Sequence, residues 1–207
     1  MVAAAWYGTP QGFALRNTWL TRALLHDGAR AVSGVALALC VLLAWRGDGS
    51  SLRRAHRMAW LGVVVLCLLA IPALKQVSQT SCPWELEVFG GSAAYVPHWM
   101  LFVLDGGPGH CFPSGHAVAA FAFLPLYFQW RGQRPALALA LLTATLCAGA
   151  LLGWTQLARG AHFPSHTLWS AWLCWSIGAL GARWLEPAAS AAQPSHIASP
   201  VVLPSAS

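Results

Sequence analysis

The chain has 207 residues, of which 57% are hydrophobic and only 9% charged. Soluble globular domains carry about 25% charged residues, so the composition excludes that class and points to a polytopic membrane protein. The net charge of +6 is no nucleic-acid signal, because its carriers are mostly arginines in short loops between apolar runs.

Residues 1–28 mix Trp6, Tyr7, Phe13, Arg16, Trp19 and Arg22 without a spanning run. They lack the basic stretch and apolar core of a signal peptide and read as an interfacial segment. A first span is expected from about Ala29 to Trp45, followed by a loop bearing Arg46, Arg53, Arg54 and Arg57. A second span runs from about Met58 to Leu74, and the chain's sole lysine, Lys75, sits at its far end. Residues 75–113 form a long loop rich in Gly, Pro and aromatics, expected to pack as a cap over the helices. A third span is expected from Ser114 to about Trp130, a fourth from Ala136 to about Trp154, and a fifth from His166 to about Arg183. The tail, 186–207, is rich in Ala, Pro and Ser and is expected to be disordered. The expected fold is an all-α polytopic membrane helix bundle over 29–185.

Arg46, Arg53, Arg54, Arg57, Arg131, Arg134 and Arg183 all fall on one side of these spans. Apart from the amino-terminal segment, the other side holds only Lys75 and Arg159. The positive-inside rule therefore turns loops 75–113 and 155–165 outward, to the exterior or periplasm of a bacterial-type inner membrane. Every chemically suggestive residue lies in or beside those two loops.

Cys111-Phe112-Pro113-Ser114-Gly115-His116 leads straight into an apolar run. If a helix begins there, its unpaired N–H groups and dipole suit a phosphate, and an imidazole beside it could move a proton. Lys75 alone reads equally well as a lysine snorkelling to the interface. Arg159, His162 and His166 share one face if the segment is helical, although Pro164 interrupts it. Lys and Arg would hold a phosphate, one imidazole would attack phosphorus, and another would protonate the leaving oxygen. The six acids are scattered, so no carboxylate cluster holds Mg²⁺. Competing readings are a zinc centre on His116, His162 and His166, a protease using Ser114, and a binder that holds a lipid phosphate without cleaving it.

Taken together, these motifs resemble the type 2 phosphatidic acid phosphatases, membrane lipid phosphatases that share a helical core with vanadium haloperoxidases. Lys75 is followed after six residues by Cys82-Pro83, then Pro113-Ser114-Gly115-His116, then His162-x3-His166. The resemblance covers roughly Leu74 to Trp175 and implies six spans where five are evident. It implies His162 as the nucleophile that forms a phosphohistidine and His116 as the acid for the leaving group. Lys75, Ser114 and the Gly115 N–H would hold phosphate oxygens, with a lipid phosphate as substrate and no cofactor or metal. Phosphoryl transfer to another lipid is a variant of the same chemistry.

Three positions depart from the family pattern. Cys82 and Gln156 stand where the family has arginines, and His166 stands where it has the Asp that orients the nucleophile. Arg159, one helical turn from Gln156, could replace the second arginine. A neutral His166 can accept the orienting hydrogen bond, though it stabilises an imidazolium less than a carboxylate does. Cys82 and Cys111 share the outward loop and could pair in an oxidising compartment, whereas Cys40, Cys67, Cys147 and Cys174 read as packing residues.

Overall fold

The computed structural model describes residues 2–47, 51–100 and 102–185, and the tail 186–207 lies outside the described residues. Its principal helices are α1 (Leu20–Arg46), α2 (Ser51–Val77), α3 (Val118–Phe121), α4 (Pro125–Trp130), α5 (Pro135–Ala158) and α6 (Pro164–Leu185), with a single helical turn at Val2–Ala5 and 3-10 turns at Pro83–Glu85 and Glu87–Phe89. The only sheet among the described residues is a two-residue pairing, Gly8–Thr9 against Gly12–Phe13. The chain is an all-α helical bundle.

A bilayer demands about 20 apolar residues whose backbone is satisfied within the segment. Among the described residues, three helices meet that demand by length and composition: α1, α2 and α5. Val32, Val35, Leu39 and Leu43 of α1 are exposed, as a lipid-facing surface requires. α6 has the length, but His166, Thr167 and Ser170 in its first two turns are polar and buried in protein instead.

Two boundaries differ from the sequence reading. α1 begins at Leu20 rather than near Ala29, wound as a π-helix through Asp27. Gly28 stays right-handed (φ −60°, ψ −41°), so nothing stops the helix there. The third span is also not one helix from Ser114. Ser114 is irregular, residues 115–117 form a turn, α3 is short, and α4 starts anew at Pro125. Pro125 brings no N–H and its ring crowds the carbonyl four residues back. The chain between tightens into i→i+3 bonds, Phe123 N–H to Ala120 O (3.0 Å) and Leu124 N–H to Phe121 O (3.1 Å).

The core joins Val64, Cys67 and Ile71 of α2, Val118 and Phe121 of α3, and Cys174 of α6. Two glycines of α5 let its neighbours approach. A Cβ on Gly149 would fall inside the Phe121 ring, and one on Gly153 would meet Thr167 of α6. Small residues four apart are how membrane helices pack closely.

The amino-terminal segment folds over the loop end of the bundle. Phe13 is buried with Leu86, Phe89, Ala93 and Phe163, and its ring lies 4.9 Å from that of Phe89. The guanidinium of Arg16 sits 4.3 Å above the Trp84 ring and 3.7 Å from a Glu85 carboxylate oxygen. At the opposite end, Arg57 donates to the Ala44 and Gly47 carbonyls (3.2 and 2.9 Å).

Candidate active site

Lys75 comes from the last turn of α2, whose helix is intact despite Pro72. Residues 78–111 return to it as a closed loop. Cys111 N–H donates to Thr80 O (2.9 Å) and His110 N–H to Ser78 O (2.8 Å). The buried Asp105 carboxylate accepts from Ser81 N–H (2.6 Å), Ser81 Oγ (2.8 Å) and Gly107 N–H (3.0 Å). Cys82 and Cys111 form a disulfide. The loop thereby delivers the Pro-Ser-Gly-His turn beside Lys75, and a Cβ on Gly115 would lie 3.9 Å from Lys75 Nζ.

The other half of the site hangs on how α5 ends. Gly160 takes the left-handed conformation (φ 73°), Ala161 N–H reaches Gln156 O (2.8 Å), and Gly160 N–H reaches Leu157 O (2.9 Å). This double bond pattern is the Schellman stop. It places Arg159 on the last turn and throws His162 out of the helix, so the three residues do not share one continuous helical face as expected. Gly160→Ala should lower stability by about 1–2 kcal/mol for the left-handed conformation. It would cost more because Phe13 covers that spot. Thermal unfolding in detergent reads the loss.

Between the two halves lies a cavity of about 600 Å³ lined by Lys75, Gly115, His116, Gln156, Arg159 and His162. Arg30 of α1 and Cys82 also line it. Arg159 is anchored from below: Nε donates to the Arg16 carbonyl (3.0 Å) and Nη1 to Gln156 Oε1 (3.4 Å). Gln156 Nε2 is a buried donor without a hydrogen-bond partner. An orphan donor on a cavity wall suits an oxyanion.

His162 is 4% exposed, and its Nδ1 faces His166 Nδ1 at 3.4 Å. Nδ1 is thus engaged behind the ring, which leaves Nε2 for the cavity. Burial, then the neighbouring His166 and the charge of Lys75, holds the His162 pKa well below its usual value. The ring is neutral at neutral pH, with a lone pair to donate. His116 lines the cavity with Nε2 3.4 Å from the Leu25 carbonyl.

Ser114 and His166 do not line this cavity. Both are fully buried behind it, where Ser114 N–H donates to His166 O (3.1 Å) and Ser170 Oγ donates to Ser114 O (2.9 Å). Ser114 Oγ and His166 Nε2 have no hydrogen-bond partner. The expected helix N-terminus at Ser114 is replaced by a turn, since regular helix starts only at Val118.

Arg30 carries no signal in the sequence beyond an arginine at the start of an apolar run, and Gln156 reads there as a lost arginine. Nothing in the sequence singles out His98, although its ring lies 5.5 Å from that of His166.

A family model described as the PAP2 superfamily matches residues 57–189. No curated protein and no solved structure matches the chain.

Proposed function

Since the chain belongs to the PAP2 superfamily, a family consisting generally of phosphatases, we propose that it hydrolyses a lipid phosphate or pyrophosphate monoester. The reaction runs at the outer face of the membrane, through a phosphohistidine and without a metal. The observation that carries this reading is the single cavity shared by Lys75, His116, Arg159 and His162.

His162 Nε2 attacks phosphorus and forms the N–P bond as the P–O bond to the leaving group breaks. His116 gives its proton to the departing oxygen. Water then attacks the phosphohistidine, His116 takes the proton from it, and inorganic phosphate leaves with His162 restored. Lys75, Arg159 and the Gly115 N–H hold the phosphoryl oxygens, and the spare donor of Gln156 joins them. Behind the nucleophile, His166 accepts the Nδ1 proton's hydrogen bond and fixes the tautomer in which Nε2 is free. Ser114 shapes the turn from behind.

Arg30 supplies the cation that Cys82 does not. Arg30→Ala should raise KM about tenfold and change kcat little, because a rim charge holds substrate and transition state alike. A shift confined to kcat would remove Arg30 from substrate binding.

The deciding experiment is phosphate release by purified, EDTA-treated protein from a panel of lipid phosphates and pyrophosphates. Metal-independent release is the expected result. Release that EDTA removes, or none from any lipid, would overturn the reading.

A further inference from the structure

The disulfide that closes the outer loop ends against the back of the nucleophile. Cys111 Sγ lies 3.5 Å from His162 Nδ1, which is itself 3.4 Å from His166 Nδ1. One ligand atom from each of the three residues falls within 4.8 Å of the other two, and all three residues are buried. As half of a disulfide, Cys111 carries no proton and no charge, so in the oxidised chain it merely touches the ring and the Ala161 carbonyl.

Two of the three spacings match a tetrahedral metal centre. With Zn–S about 2.3 Å and Zn–N about 2.0–2.1 Å, neighbouring S and N ligands stand about 3.5 Å apart and two N ligands about 3.4 Å. The Cys111 Sγ–His162 Nδ1 and His162 Nδ1–His166 Nδ1 pairs already hold two of those edges, and the third, between Cys111 and His166, lies within 4.8 Å. The fourth position is within reach of Cys82, which is bonded to Cys111, only half-buried, and on the cavity wall.

We propose that reduction of the Cys82–Cys111 disulfide converts the back of the catalytic histidine pair into a zinc site formed by Cys111, His162, His166 and Cys82. A dithiol reaching Cys82 through the cavity breaks the S–S bond by exchange. The dithiol leaves as a cyclic disulfide and two cysteine thiols remain. Zinc binding then releases one proton from each thiol as the thiolates and the neutral imidazoles close around the ion. A cation on His162 Nδ1 withdraws electron density from the ring and disables Nε2. The oxidised protein is the metal-free, competent form, and the reduced protein in the presence of zinc is the arrested one. Metal capture needs no substrate and stands apart from the proposed activity.

The test uses the full chain in detergent, reduced with a phosphine under anaerobic conditions, desalted, and incubated with zinc alone. Metal content and far-UV circular dichroism are measured on oxidised and reduced samples. The expected result is about one zinc per reduced chain, none above background in the oxidised chain, and unchanged helicity. Cobalt in place of zinc should give the intense visible bands of a tetrahedral thiolate site. Cys111→Ser and His166→Ala should each weaken zinc binding by at least about tenfold. Equal zinc in oxidised and reduced wild type would overturn the proposal without reliance on any variant. So would undiminished binding in both variants, or uptake that accompanies loss of helicity.

Discussion

Replacing His162 with alanine should reduce metal-free phosphate release by at least about 10³-fold, the scale of removing a nucleophile from a catalytic unit whose binding groups remain. Among the described residues, His162 is the one imidazole that combines a place on the cavity wall, an engaged Nδ1 and a ring kept neutral by burial. In the proposed mechanism neither neighbouring imidazole takes its place, since His166 is sealed behind it and His116 reaches the cavity from the turn before α3. Acid quench of the wild type during turnover of a ³²P-labelled substrate should trap an acid-labile, base-stable phosphoprotein that the variant lacks. Turnover near wild-type rate in His162→Ala would end the phosphohistidine assignment.

His116→Ala should lower kcat by about 10²–10⁴-fold on an alkyl phosphate, the range for general acid catalysis. The loss should shrink sharply on an aryl phosphate such as p-nitrophenyl phosphate, whose leaving oxygen needs no proton. That contrast separates an acid from a group that only binds phosphate, which would be missed equally on both substrates. His116 is suited to the task because the turn at Gly115 carries it to the cavity beside Lys75, with Nε2 near the Leu25 carbonyl. An equal loss on the two substrates would reassign His116 to binding.

Much of this site was legible because its chemistry is costly where it lies. Lys75, His116, Arg159 and His162 stand out against apolar spans, and charged groups there are functional suspects by default. The long helices were legible for the same reason, being apolar runs of bilayer length. What stayed hidden depended on tertiary contact. Arg30 belongs to the cavity only because α1 packs beside α2 and α3. The aromatic amino-terminal residues read as interfacial because an apolar ring packs as well on lipid as on protein. Only the fold reveals that Phe13 covers Gly160 and that the Arg16 carbonyl holds Arg159. The break before Pro125 was a signal present and passed over, since the apolar run continued through it.

That clasp also sets a boundary within the molecule. The family match begins at residue 57, yet the guanidinium in its cavity is tethered by residue 16. The candidate histidines lie inside the matched region, while the carbonyl that anchors the Arg159 side chain lies ahead of it, 143 positions earlier in the chain. A chain trimmed to the matched region should therefore keep the histidine pair and release the Arg159 guanidinium from its anchor, so changes in the leading segment should be felt in the cavity.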